Sequence, residues 1–389
     1  MSEVNPEGRK RNILISLLYY YPHRTGLTKH VQMVAEELAR RGHDVTVLTA
    51  RYNDSLPRDS VMHRGVRVIR LWSPLHMSRG MIMPAFPHAA YRLMRKADIV
   101  AIHTPMLETA LISLLAGIAG VKVLPTHHGD LVLPPTLTNR FIRLAMFLLY
   151  KWMAKRAPAI IAYSEDYADH SYYLKPFREK VIANYPPIQI PEPQAEQVAA
   201  LRAQWQKGDG PIIGYSGRFV QEKRPDLAIR AMDVVRQQYP DAQLVFAGEY
   251  EIAYEDTWQR EQALVQSHAD HLHFLGLLTD NQALANFYAA CDVLVLPSDT
   301  ECFALVQVEA MLCGTPVVMT NIPGGRVPVS VTGMGKLAEA GDWQSIGQAL
   351  VEVLNDLPHY TLDQAENEVT FSFVPTGELY VDTYLKHAR

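Results

Sequence analysis

The stretch "DVLVLPSDTECFALVQVEAMLCGTPVV", residues 292–318, decides the fold. Its first part is a short apolar run closed by Pro297, as a buried strand would be. A loop over 299–303 follows, then a helix-length apolar segment to Cys313, ended by Gly314, and a second β-branched run that opens at Pro316. Strand, helix and strand in that order read as a parallel βαβ unit. Two carboxylates interrupt the apolar run. Glu301 falls in the loop and Glu309 four residues after Leu305, so both are expected at the end of the element where a ligand arrives, away from the core. Carboxylates there accept hydrogen bonds from hydroxyls, and the amides of a helix N-terminus favour an anion such as phosphate. A phosphorylated polyol uses both features.

The same alternation runs outward in both directions, so the fold class is α/β. Strands are expected over 12–18, 44–50, 66–72, 98–103, 121–127 and 158–164, and again over 211–217, 242–248, 271–278, 292–298 and 316–320. Between the first two, Val31, Val34, Ala35 and Leu38 recur at helical spacing, with Gly42 placed to end the helix. The proline- and glycine-broken segment "YPPIQIPEPQAEQVAALRAQWQKGDGP", residues 185–211, separates the two series. The expected organisation is an N-terminal domain over 1–188, a linker over 189–210 and a C-terminal domain over 211–372. A last helix over 373–389 is expected to pack back on the first domain. Two doubly wound sheets of this kind bind ligands outside the carboxyl ends of their strands, and here they are expected to face each other across a cleft.

The 389 residues exceed what one core usually serves. With 48% hydrophobic and 20% charged residues and a net charge of −4, the composition is that of a globular protein and argues against nucleic acid as a partner. Three cysteines, Cys291, Cys302 and Cys313, show neither metal-ligand nor C-x-x-C spacing, which fits a reducing cytoplasm. The N-terminal "MSEVNPEGRKRNILISLLYYYP" lacks a small-residue cleavage site, and no apolar run is long enough to span a bilayer. A nicotinamide enzyme is disfavoured, because tyrosines stand where G-x-G-x-x-G would follow the first strand.

Four segments, in order and each at a strand end, resemble one family. Residues 300–318 are similar to the E-x7-E motif of retaining glycosyltransferases of the GT-B fold, most closely glycosyltransferase family 4. "GYSGRFVQEKRPDLAIRAM", residues 214–232, resembles that family's G-R-x4-K element. "YYYPHRTGLTKHVQMVAEELARRGHDVTVLT", residues 19–49, resembles its first glycine loop and helix, and "PTHHGDLVLPP", residues 125–135, its histidine-containing loop. The resemblance covers nearly the whole chain. It implies that Arg218 and Lys223 hold the diphosphate of a sugar nucleotide and stabilise its charge as the sugar leaves. It also implies that Glu309 binds the ribose hydroxyls, that Glu301 contacts the donor sugar, that the backbone near Leu277 reads the base and that His128 lies beside the sugar. Gly26, Gly217, Phe303, Ala304 and Leu305 complete the implied donor site.

Two departures are visible. Leu27 follows Gly26 where the family often has a second glycine, and Ala304 stands where it commonly has one, so the loop before the last helix is expected to take a somewhat different path. No D-x-D triplet lies at a strand end, so neither a metal nor another cofactor is expected. His127 and His128, as neighbours on a strand, point to opposite sides and do not chelate one ion together. His30, early in the first helix, serves packing or capping as readily as phosphate.

The expected activity is transfer of a hexose from a UDP- or GDP-sugar to a hydroxyl of a glycan or glycolipid. The alternatives are a sugar-nucleotide epimerase of the same fold and a silent nucleotide-sugar-binding protein. A basic, aromatic helix over 138–158 and a loop over 77–87 carrying Met81, Met83 and Phe86 as an apolar patch suit an anionic membrane surface; the equal alternative is that the helix packs its apolar side on the first domain's sheet and carries its cations as ordinary solvated charge. On the membrane reading the chain would work as a peripheral protein at the inner face of the membrane.

Overall fold

The computed structural model describes residues 9–23, 25–77, 80–131, 137–252, 255–360, 370–371 and 373–389. Residues 1–8, parts of the loops over 77–87 and 125–135, and residues 361–369 of the expected second domain lie outside that description. The chain divides into two compact units, Met1–Pro187 with Phe373–Arg389, and Ile188–Ser372.

In the first unit, β1 (Asn12–Ser16), α1 (Gly26–Arg40), β2 (Asp44–Arg51), β3 (Val61–His63) and β4 (Val66–Trp72) lead to a hairpin of β5 (Leu75–Met77) and β6 (Gly80–Ile82). Then come α2 (Phe86–Met94), β7 (Ile99–Thr104), α3 (Thr109–Ala119), β8 (Val123–His127), α4 (Leu137–Arg156), β9 (Ile160–Ala162), α5 (Glu165–His170) and β10 (Val181–Ala183). The sheet order is β10-β9-β8-β7-β1-β2-β4-β3, parallel except where β3 meets β4. Central strands such as β7 and β8 are buried along their whole length, the pattern of a sheet covered on both faces. Helix α1 starts at a reciprocal capping box in which Thr25 and Thr28 each bond the other's backbone N–H. It buries Val31, Val34, Ala35 and Leu38 on the sheet, as their spacing predicts.

The closing helix, Phe373–His387, belongs to this unit. It sets Tyr380, Val381 and Tyr384 into the core beside Val31 and Val34. Asn184 donates to the Thr376 carbonyl at 3.1 Å, and the Tyr380 hydroxyl donates to the Asn184 carbonyl at 3.1 Å. Each buried side chain of this size contributes about 1.5–3 kcal/mol through its apolar surface.

The second unit opens with α6 (Ala195–Trp205) and continues through β11 (Ile212–Ser216), α7 (Pro225–Gln238), β12 (Gln243–Ala247), α8 (Thr257–Arg260), α9 (Gln262–Ser267) and β13 (Leu272–Phe274). It ends with α10 (Asn281–Ala290), β14 (Val293–Leu296), α11 (Leu305–Leu312), β15 (Val317–Thr320), α12 (Val327–Thr332), β16 (Gly335–Ala338) and α13 (Trp343–Asn355). All six strands are parallel, in the order β13-β12-β11-β14-β15-β16.

Residues 189–210 are not the linker that their prolines suggest. Half of the segment is helix α6, which buries Trp205 against Phe287 and pairs Arg202 with Asp292 at 3.0 Å. The prolines lie before the helix, while the contacts of Trp205 and Arg202 that hold α6 are visible only in three dimensions. The strand expected over 271–278 stops at Phe274, because Gly276 turns into the left-handed region at φ 71°.

Candidate active site

In a doubly wound sheet the crevice opens where the strand order reverses. In the second unit that point lies between β11 and β14, which flank each other while their successors β12 and β15 run outward on opposite sides. The loops leaving these two strands carry Gly217, Arg218 and Lys223 on one side and Glu301 on the other.

The loop after β11 is tightly set. Gly217 sits at φ 159° and Gly248 packs so closely that a Cβ there would lie 1.9 Å from the Gly217 carbonyl oxygen, so the end of β12 must be glycine. The buried Tyr215 hydroxyl donates to the carbonyls of Arg218 and Lys223 at 3.3 and 3.4 Å, pinning both cationic residues from below. Burial, with the Glu301 charge next in weight, pushes the Tyr215 hydroxyl well above its usual range, so it remains a donor. The Arg218 guanidinium comes within 3.6 Å of Glu222, and the Lys223 ammonium donates to Glu301. Ser298 donates to the same Glu301 oxygen at 3.0 Å. Residues 78 apart in sequence thus share one polar cluster at the switch point.

Glu309 lies in the second turn of α11 and is only 6% exposed. Tyr288 donates to it at 3.0 Å, and Ser216 shares a 3.1 Å hydrogen bond with the Tyr288 hydroxyl. Burial and the neighbouring carboxylate push the Tyr288 hydroxyl far up, so that it holds Glu309 in one orientation. Ala304 takes φ 55° immediately before α11, so the loop keeps the left-handed turn that the substitution of glycine was expected to alter. The turn is enforced by the buried Phe303, packed 5.9 Å from Phe371, and by Gln307, which donates to the carbonyls of Phe303 and Gly325 at 3.3 and 2.8 Å. The Phe303 side chain is therefore core, and only its backbone is available to a ligand. Leu305 begins the helix half-buried, while Leu277 stands 58% exposed beyond β13, which excludes a plain buried strand there.

The first unit presents a separate group. Gly26 is the exposed first residue of α1. His127 and His128 diverge as neighbours should: His127 turns inward to Asp130 at 2.9 Å and Thr104 at 3.1 Å. His128 meets His103 at 2.7 Å and Tyr163 at 2.5 Å. Burial holds His128 well below the usual imidazole range, with His103 and His30 adding to the effect, and it pushes His103 down to about 3. Tyr288, Ser298 and His103 lie outside the quoted motifs, and Tyr215 and Ser216 lie within the segment 214–232 without an assigned role there. Only the end-of-strand positions of Ser216, Ser298 and His103 would have drawn attention to them.

Helix α4 packs Met146, Tyr150 and Met153 inward and leaves Phe141 (73%), Leu144 (56%) and Leu148 (55%) exposed. Arg140, Arg143, Lys151, Lys155 and Arg156 are exposed along the same helix, and the adjoining α3 exposes Leu114 and Ile118. Met81, Met83 and Phe86 do not form the apolar patch expected of them in the loop over 77–87. Met81, Met83 and Phe86 are all buried, since the β5–β6 hairpin and the first turn of α2 fold them under. No described helix is long and apolar enough to cross a membrane.

Two family models match the chain, "Glycosyltransferase Family 4" over residues 24–187 and "Glycosyl transferases group 1" over residues 197–367. The phosphatidyl-myo-inositol mannosyltransferase of Propionibacterium freudenreichii is 27% identical over 78% of this chain and 75% of its own length. A GDP-mannose-dependent monoacylated α-(1-6)-phosphatidylinositol monomannoside mannosyltransferase of Corynebacterium glutamicum is 33% identical over 38% of each chain, so the match spans well under half of that relative. Among solved structures, Anabaena HepE in complex with UDP and glucose superposes with a TM-score of 0.78 at 18% identity, covering 97% of this chain and all of its own. Motifs, sheet order and comparisons agree: the chain belongs to the group 1, family 4 glycosyltransferases and has their GT-B fold.

Proposed function

We propose that the chain is a retaining hexosyltransferase that takes its sugar from a UDP- or GDP-sugar without the help of a metal. The observation that carries this reading is the cluster of Arg218, Lys223, Glu301 and Ser298 at the switch point of the second unit. Cleaving a sugar–phosphate bond leaves added negative charge on the diphosphate. A guanidinium held beside Glu222 and an ammonium held by Glu301, on a backbone tied to Tyr215, stabilise that charge, the work that a divalent ion does in other transferases. Glu301, seated on Lys223, is within reach of whatever that cation holds and contacts the sugar next to the diphosphate. Glu309, oriented by Tyr288, receives the ribose hydroxyls, and the backbone by Leu277 meets the base. HepE, with its bound UDP and glucose, supports a nucleotide sugar as donor. His128 lies beside the sugar in this reading.

The acceptor is a glycan or glycolipid met at the inner face of the membrane. Two relatives are named for transfer to phosphatidylinositol lipids, and the exposed apolar residues of α4, framed by five cations, suit an anionic lipid surface. The test of the reaction is a panel of UDP- and GDP-sugars, followed for hydrolysis or transfer and for the anomeric configuration of the product. Turnover of one class with retained configuration supports the assignment. Interconversion of the sugar without release of nucleotide would make the protein an epimerase, and tight binding without turnover a silent binder.

A further inference from the structure

The proposed transfer uses His128 and leaves its two imidazole neighbours without a task. His30 lies in the second turn of α1, His103 one residue before the end of β7, and His128 directly after β8. A ligating nitrogen of each lies within 4.8 Å of the other two. His103 Nδ1 and His128 Nε2 share one proton at 2.7 Å. Both nitrogens of His30 and Nε2 of His103 are buried without a hydrogen-bond partner among the described residues. His30 is 1% exposed and His103 2%. Buried imidazoles are normally satisfied, so three orphaned nitrogens in one place point to a missing partner.

We infer that His30, His103 and His128 form a binding site for a late first-row divalent transition ion, zinc foremost, and that the ion occupies His128 and stops transfer. The donor set is three imidazole nitrogens with neither carboxylate nor thiolate, which suits zinc, cobalt, nickel or copper and not magnesium or calcium. Asp130, the nearest carboxylate in sequence, is engaged by His127, Ser171 and Tyr172. The three cysteines all lie in the second unit. The outer shell also fits. When His128 binds through Nε2, its Nδ1–H donates to the Tyr163 hydroxyl already 2.5 Å away, the support a metal-bound histidine usually has. Zinc–nitrogen bonds of about 2.0–2.1 Å in a tetrahedron separate ligands by roughly 3.3 Å, so the His103–His128 pair must open by about 0.6 Å. The proton they share moves to the vacant Nε2 of His103. The fourth position remains open to water. Binding is thus off the catalytic path and inhibitory, which is compatible with metal-free chemistry. Only the inhibitory half rests on the proposed role of His128.

The full chain, stripped with a chelator, is titrated with Co²⁺ and with Zn²⁺ while visible absorption and metal content are followed. The expected result is one ion per chain with the intense d–d bands of a four-coordinate site, and displacement of cobalt by zinc but not by magnesium. His30→Gln and His103→Gln should each weaken binding by about 100-fold or more, and Tyr163→Phe, which keeps all three ligands, by about tenfold. Circular dichroism and thermal melts keep a misfolded variant from counting as support. No cobalt spectrum, or a spectrum that survives in the His30→Gln/His103→Gln double variant, overturns the site. In the donor assay zinc should inhibit the unmodified chain reversibly, with chelator restoring turnover. Full turnover with the site loaded would overturn the inhibitory role, whereas cobalt binding by a chain inactive on every donor would count against the transferase reading alone.

Discussion

Arg218 and Lys223 are one residue-scale commitment of the structure. Both are anchored through their carbonyls by Tyr215, and in the proposed reaction both carry the charge that meets the diphosphate. Replacing either by alanine should lower turnover by roughly 10²- to 10³-fold while the melting profile stays unchanged, since removing one preorganised contact of this kind costs that much. Turnover near that of the unmodified chain in both variants would refute the leaving-group role. The two glutamates divide differently. Glu309→Gln should weaken nucleoside diphosphate binding, because the carboxylate held by Tyr288 is the proposed ribose contact. Glu301→Gln should leave nucleotide affinity near normal and impair transfer. Calorimetric titration of both variants with UDP and GDP checks this, and an equal loss of affinity in the two would contradict it.

Among the elements, α4 is the one whose composition and exposure agree on a partner outside the protein. Its inward face is complete, with Met146, Tyr150 and Met153 buried, so Phe141, Leu144 and Leu148 are left over from folding. On anionic liposomes the chain should sediment at low salt and release as salt rises, since cations near such a surface contribute about 1 kcal/mol each and are screened within a Debye length. Replacing Phe141, Leu144 and Leu148 together by serine should weaken the partition by at least about 100-fold, as each apolar side chain is worth about 1.5 kcal/mol or more when buried in lipid. Unchanged sedimentation of that variant would leave α4 an ordinary solvated helix. Met81, Met83 and Phe86 of the loop over 77–87 play no part in this, because they are spent on the core.

For the molecule as a whole, the closing helix makes the first unit discontinuous in sequence. Tyr380 packs 4.6 Å from the His30 ring and bonds the Asn184 carbonyl. Tyr380→Ala should therefore destabilise the first unit by about 3–5 kcal/mol, the usual cost of deleting a buried aromatic ring, while the second unit keeps its own transition. Denaturant unfolding followed by hydrogen exchange in each unit separates the two, and equal loss in both would show that the helix does not serve the first unit specifically. At the same scale, the metal-free mechanism predicts full turnover in EDTA. Loss in EDTA that magnesium or manganese restores would require a different source of positive charge.

Sequence alone was enough for the central strands of the two sheets and for the first helix, because these depend on local periodicity and on glycine or proline at fixed places, whereas the edge strands β3, β10 and β16 were not foreseen. Val31, Val34, Ala35 and Leu38 have to share a face in any helix, and a continuous apolar strand has to be covered on both sides. Arg218, Lys223, Glu301 and Glu309 stood out through the resemblance of their segments to family motifs, in the loops and the helix that follow β11 and β14. What only the tertiary structure decided are the partnerships across chain distance. Tyr288 and Ser298 hold the carboxylates, Trp205 draws a proline-rich segment into the second unit, and Met81, Met83 and Phe86 turn inward. Ala304 shows the same limit, because packing of Phe303 and the bonds of Gln307 impose a backbone angle that its own side chain disfavours. The histidine cluster is the clearest instance. His30, His103 and His128 have no spacing to read, and converge because a parallel sheet brings the ends of successive strands and the start of the first helix to one edge.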